Sequence, residues 1–425
     1  MRWGPAAAVV LSVFALAGAA APAGASPGAA FGLQDDAWLM YGPGTLAGRV
    51  ATLQGLGVHL VRFTLRWDQI AATEPADARD PSDPAYAWGQ FDGVLRALHA
   101  AGIAELVTLY GSPSWANGGH PPNWLPQRGF ADFAYAAAQR FPWVRMWTIW
   151  NEPNGRTFSV PVSPSLYVQR LLNPAYAQLH LASSANLVAG GVTSPRATPT
   201  GVAPLTFMQG MKAAHARLDA YAQNPYPVSR GETPTRVGCG QCTVMTMASL
   251  GAIRTDVTKY FGGRTGLWLT EYGYQTNPPD RLLGVSWALQ ATYIATAALR
   301  VWQQPGATVL IQFLVRDEPS LGGWQSGLLT VGGTEKPSYH AFALPLAQVS
   351  RHGAKAVLWG QVRPGSGARA YVLQWFTGDG WRTLGAAGRT DTSGTFVRTV
   401  TLPRGARIRL WSPAAGYAGP ALVLS

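Results

Sequence analysis

Acidic residues are scarce in this chain: 21 Asp and Glu stand against 33 Lys and Arg in 425 residues, and only seven of the acids are Glu. Two of those seven are set apart by their neighbours. Glu152 lies in Trp147-Thr-Ile-Trp-Asn-Glu-Pro-Asn154, and Glu271 lies in Gly266-Leu-Trp-Leu-Thr-Glu-Tyr-Gly273. Each closes an apolar run with almost no polar residue of its own, so each reads as a carboxylate at the tip of a buried strand. Two carboxylates facing one cleft can divide acid and base duties. One, protonated, gives a proton to a leaving oxygen; the other, ionised, attacks the anomeric carbon or activates water, which is what glycosidic cleavage demands. Different surroundings and mutual repulsion would hold their pKa values apart.

Both carboxylates must then sit on the same rim, and the elements around them supply one. Strand-like runs are expected at Phe31–Leu39, Val58–Arg66, Ile103–Tyr110, Val144–Trp150, Leu187–Thr193, Leu218–Asn224, Leu267–Tyr272 and Thr308–Val315. Several lack period-two alternation, as parallel strands covered on both faces do. Helical periodicity separates them at Thr45–Gln54, Trp88–Ala101, Phe130–Arg140, Ser165–Ala185, Leu205–Arg217, Met247–Tyr260 and Ser286–Gln303, and Pro337–Gln348 follows the last strand. Eight such units predict an α/β fold, a closed (β/α)8 TIM barrel, whose strand C-termini open on one active-site face. A doubly wound sheet would carry a Gly-rich phosphate loop after an early strand, and none is present.

Trp-Asn-Glu-Pro-Asn at strand four, with a Glu closing strand seven, resembles the clan A retaining glycoside hydrolases, most nearly the cellulase-like and β-xylosidase-like branches. The resemblance implies Glu152 as acid/base, Glu271 as nucleophile, and Asn151 as the partner of the sugar 2-hydroxyl; preference for the β anomer is implied in the same way. Leu60-Val-Arg62, followed by Trp67, is similar to the strand-two Arg that steadies the nucleophile in that clan. Ser112-Pro-Ser-Trp115 resembles a sugar-stacking loop, and Gly327-Leu-Leu with Lys336–Phe342 resembles the loop and helix after strand eight. One position departs: where the clan often has His-x-Tyr, this chain has Asn224-Pro-Tyr226. Tyr226 can still hydrogen-bond the nucleophile, but Asn cannot supply an imidazole. The resemblance covers roughly residues 30–348. Trp115, Trp124 and Trp324 fall in expected rim loops, where aromatic faces can stack on sugar rings, and Asp317 and Glu318 follow strand eight within reach of a ligand.

The remaining sequence frames this barrel. Arg2, the apolar run Ala6–Ala20 and Ala23-Gly-Ala25 read as a signal peptide over residues 1–25, with an uncleaved anchor as the alternative, so a secreted or cell-envelope-associated protein is expected, with no transmembrane span after signal removal. Residues 26–350 are assigned to the catalytic barrel. From about residue 351 short alternating strands separated by turn clusters predict a small antiparallel β-sandwich, residues 351–425, small enough to need docking against the barrel. That segment carries ten basic residues against two acidic ones, so an anionic cell-envelope polymer is the partner its charge would attract, a solvated basic surface being the plainer reading. Cys239 and Cys242 are expected to form a structural disulfide in an oxidising compartment, with free thiols or a redox role as alternatives. The seven His show no metal-binding spacing, so no metal or other cofactor is expected, and an exported chain without a binding motif is not expected to bind nucleic acid. The expected activity is that of a retaining O-glycosyl hydrolase on an oligo- or polysaccharide. A non-catalytic carbohydrate-binding barrel is the rival.

Overall fold

The computed structural model describes residue 26, residues 28–238 and residues 243–425; the leader and the Cys239/Cys242 pair lie outside them. Eight parallel strands close into a barrel in chain order: β1 (Ala30–Gln34), β2 (Leu60–Arg66), β3 (Ala104–Tyr110), β4 (Met146–Ile149), β5 (Leu187–Thr193), β6 (Ala220–Gln223), β7 (Gly266–Tyr272) and β8 (Ala307–Phe313). The pleat divides each strand between two environments. Along β2, Val61 and Phe63 join the apolar layer beneath the helices, while Leu60 packs inside the barrel with Leu106, Ala220, Trp268 and Val309. Above that apolar plug the interior turns polar, with Arg62, Thr108, Thr148 and Thr270 all buried. The barrel is therefore a filled core whose uppermost layer carries the polar chemistry.

Three differences from the sequence expectation have a clear local reason. The first strand does not run to Leu39: it stops at Gln34, and Asp35 caps a helix Asp36–Tyr41 by accepting from the Trp38 N–H. The apolar run 37–40 imitates a strand, but an Asp cap followed by Asp in the first turn is a helix start. The helix expected at Ser165–Ala185 is instead Pro164–Tyr167, a π-turn Val168–Leu172, and Asn173–Ala182. Pro174 has no N–H to continue the α ladder, so the ladder widens there. The last helix ends at Ala343 rather than Gln348, because Leu344 precedes Pro345 and leaves the helical region. β9 opens at Leu346 instead.

The C-terminal module holds two antiparallel sheets. One is ordered β14 (Thr395–Thr401), β10 (Lys355–Gln361), β9 (Leu346–His352). The other is ordered β12 (Trp381–Thr383), β11 (Ala370–Phe376), β15 (Arg407–Ser412), β16 (Tyr417–Ala418), with β13 (Gly388–Arg389) and β17 (Leu422–Val423) as side strands. The module docks where the barrel strands begin, opposite the rim formed by their C-terminal ends. Arg363 is buried between the rings of Phe31 and Phe342, 4.4 and 4.3 Å from their centroids. Gly57, at φ +70, brings its Cα so close that an added Cβ would lie 2.2 Å from the Arg363 carbonyl carbon. No described helix is long and apolar enough to cross a membrane.

Candidate active site

The strand tips surround a cleft of about 700 Å³, and Glu152, Glu271, Asn151, Arg62, Tyr226 and Trp324 all line it. Arg62 is its organising charge. Its Nε donates to Thr108 Oγ1 at 2.9 Å, Nη1 to Gln34 Oε1 at 2.8 Å and the Thr270 carbonyl at 3.2 Å, and Nη2 to Asn151 Oδ1 at 3.0 Å. Nη1 also pairs with the Glu271 carboxylate. A guanidinium only 1% exposed is tolerable here because every face of its fork meets an acceptor and its charge is matched.

Glu271 sits where the β7–β8 ladder slips between Leu269 and Tyr272, an irregularity of the kind that re-aims a side chain at a strand tip. Besides Arg62 it accepts from the Tyr226 hydroxyl, at 3.1 Å on Oε2. Burial, reinforced by the Glu271 charge, pushes the Tyr226 hydroxyl far above the ordinary phenol value, so it stays a donor.

Glu152 stands in a different setting. It follows β4 on a backbone turned into the left-handed region, with φ +71 at Trp150 and +40 at Glu152 itself. Such angles cost energy for residues with a Cβ, so the neighbourhood must hold them. The Trp150 N–H donates to the Leu109 carbonyl and the Glu152 N–H to the Val192 carbonyl, both at 2.9 Å. Asn154 clamps the following turn: Nδ2 donates to Ser194 Oγ at 2.9 Å and the Val202 carbonyl at 3.0 Å, and Oδ1 accepts from the Ser194 N–H at 2.9 Å. Burial first, and the nearby Glu271 charge second, raise the Glu152 carboxyl well above the usual carboxylate range. Asn224, the departing position, donates from Nδ2 to Glu152 Oε1 at 3.1 Å and is itself fixed by Thr270 Oγ1, which donates to its Oδ1 at 2.8 Å. The cleft thus holds a carboxyl raised towards neutrality, Glu152, beside a carboxylate paired with a guanidinium and a phenol, Glu271.

Not every sequence candidate reaches the cleft. Trp324 does, 38% exposed and tilted over Tyr226 with centroids 4.9 Å apart, and Glu318 lines the same wall, accepting from the Trp324 N–H. Trp115 does not: it turns back onto Trp67 edge-on, centroids 5.4 Å apart, and gives its indole N–H to the Ala71 carbonyl. An aromatic neighbour and a backbone acceptor claim it before a ligand could. Trp124 is likewise outside, stacked on His120 at 3.7 Å. Asp317 is buried against Lys336, 2.7 Å from Nζ, and pins the loop after β8 rather than facing a ligand.

The sequence reading missed other cleft residues: Gln34, Asp36, Thr64, Arg66 and Arg196. Asp36 is the most informative. Its Oδ1 is buried without a hydrogen-bond partner among the described residues, and burial raises its carboxyl despite the pull of Thr64 and Arg62. The paired acids Asp35-Asp36 inside a supposed strand were the available signal. Among the described residues no group of three or more His, Cys, Asp or Glu is gathered to hold a metal ion.

No family model matches the chain, and no curated protein matches it. Among solved structures it is similar to a family 39 glycoside hydrolase from the gut symbiont Bacteroides cellulosilyticus WH2, at 16% identity and TM-score 0.60, over 91% of this chain and 81% of that one. It is also similar to a glucosidase from Croceicoccus marinus, at 15% identity and TM-score 0.58, over 89% of this chain and 94% of that one. A GH39 enzyme from Xanthomonas axonopodis pv. citri matches at 16% identity and TM-score 0.57, over 90% of this chain and 93% of that one. At such identities the likeness is one of fold, and it spans both the barrel and the C-terminal sheets.

Proposed function

We propose that this chain is a secreted retaining glycoside hydrolase acting on an oligo- or polysaccharide. The observation that carries the proposal is the asymmetric pair in one cleft: Glu271 held by Arg62 and Tyr226, and Glu152 raised by burial and by its neighbour's charge. The fold shared with glycoside hydrolases supports it. In the first step a Glu271 oxygen bonds the anomeric carbon as the glycosidic C–O bond breaks, and the Glu152 proton passes to the leaving oxygen. In the second, water attacks the same carbon, its proton goes to Glu152, and the ester bond to Glu271 breaks. Asn151, oriented by Arg62, is placed to hydrogen-bond a sugar hydroxyl beside the reacting carbon. Trp324 offers an aromatic face for another part of the sugar.

A glycan panel assayed for released reducing ends tests the reading. The wild type should cleave at least one β-linked glycan or aryl β-glycoside, and Glu271→Ala should fall to background. Azide should restore cleavage by Glu271→Ala and yield a glycosyl azide of inverted configuration, because the small anion enters from the vacated face. A crystal structure should place the two carboxyl groups about 5–5.5 Å apart. Protein that binds a glycan yet releases nothing across the panel would move the reading to a binding barrel.

A further inference from the structure

The outer face of the second C-terminal sheet carries a cluster that the cleft does not use. On β11, Tyr371 and Leu373 are buried in the module, so Val372, Gln374 and Phe376 turn outwards. On β15, Ile408 and Leu410 are buried, so Arg407, Arg409 and Trp411 turn outwards too. Register places Gln374 opposite Arg409, Val372 opposite Trp411, and Trp381 of β12 opposite Phe376. The guanidinium of Arg409 lies 4.3 Å from the Trp381 ring centroid, and that of Arg407 lies 4.8 Å from Phe376 and 5.8 Å from Trp381. Arg409 Nε donates to Gln374 Oε1 at 2.8 Å.

These arginines lack what usually occupies such groups. Among the described residues neither pairs with a carboxylate. The module has only two acids to offer. Asp391 is taken up in its own turn by Ser393 and Thr395, and Asp379 lies in the turn that leads into β12. A guanidinium over a ring keeps its remaining N–H groups for a forked contact to a planar carboxylate (in Arg409 the two Nη groups, Nε being taken by Gln374), and the ring holds its rotamer in advance. The aromatic rings between the charges give a sugar its apolar surface.

We propose that this face binds a carboxylate-bearing polysaccharide, with Arg407 and Arg409 gripping its acid groups beside Phe376, Trp381 and Trp411. The module docks at the barrel end remote from the cleft, so the surface anchors the protein to a polymer without entering the reaction. The inference does not depend on the glycosidase reading.

The test is affinity electrophoresis of the full chain carrying Glu271→Ala, so that no turnover confuses binding. Polygalacturonate in the gel should retard it, a neutral glucan should not, and retardation should fall as salt rises. Arg407→Gln with Arg409→Gln should weaken apparent affinity about tenfold or more. Arg382→Gln with Arg404→Gln removes the same charge from exposed sites elsewhere and should leave affinity within about twofold. Arg407→Lys with Arg409→Lys keeps the charge but loses the planar fork, and should behave like the Gln pair. Unchanged thermal melting by circular dichroism certifies each variant's fold. Equal losses in both Gln pairs, full binding by the Lys pair, retardation by neutral glucan, or tighter binding to duplex DNA than to polygalacturonate would each overturn the proposal.

Discussion

Glu152 and Glu271 are the same residue type in different company. Glu271 meets a guanidinium and a phenol, whereas Glu152 meets an amide and a neighbouring negative charge. The sign of the resulting pH dependence follows. In the proposed mechanism the first step needs a neutral Glu152, so kcat/KM should fall as pH rises through its raised pKa. Glu152→Ala should lose that alkaline limb. Its turnover on glycosides with poor leaving groups should drop about 10²–10⁴-fold, while activated aryl glycosides, which need no proton, should lose far less. Azide should then yield a product of retained configuration, because it attacks the glycosyl intermediate from the face Glu152 has vacated. An alkaline limb that persists in Glu152→Ala on activated substrates would assign the acid role elsewhere. Both glutamates were legible in the sequence because an acid closing an apolar strand is chemically conspicuous. Asp36 was passed over although the Asp35-Asp36 pair was a signal, because the apolar run that follows reads as a continuing strand rather than as a helix starting at the rim.

At the scale of elements, the rim depends on backbone that the strands alone would not adopt. Trp150, Glu152, Val192 and Leu314 all have positive φ, at the tips of β4, β5 and β8. Asn154 spans two of these tips, tying the turn after Glu152 to Ser194 and Val202. Asn154→Ala leaves buried partners unmatched and should cost about 1–3 kcal/mol in denaturant unfolding. It should also lower kcat more on poor leaving groups than on activated ones, because the displaced group is the proposed proton donor. A stability loss with equal effects on both substrate types would make Asn154 a structural clamp only. Barrel strands were readable to within a residue or two at most ends, since apolar runs bounded by polar turns leave little choice. The boundary after β1 was not, because Ala37–Met40 is apolar in either a strand or a helix and only the Asp35 cap decides between them.

For the whole molecule, the barrel and its C-terminal sheets share an interface at the end away from the cleft. Burial lowers the Arg363 guanidinium from its ordinary value to about 9, and the flanking aromatic faces of Phe31 and Phe342 offset part of that penalty. Gly57→Ala puts a methyl against the Arg363 backbone and forces a left-handed conformation on a residue with a Cβ. The backbone alone should cost about 1–3 kcal/mol, read as a lower melting temperature with kcat/KM unchanged at 25 °C. An unaltered melting temperature would mean that the module is not pressed against the barrel at this point.

By itself the sequence determined the strand–helix alternation, hence the barrel, and singled out the two glutamates, because periodicity and rare acids at strand tips are local properties; Asn151, Arg62 and Tyr226 were pointed to by the resemblance to clan A glycoside hydrolases. Only the tertiary structure decided which aromatic rings meet the cleft, that Asn224 takes hold of Glu152, and that Trp115 and Asp317 serve packing. Those outcomes turn on which of several chemically acceptable partners a side chain finds in space, and the order of residues along the chain does not encode that choice locally.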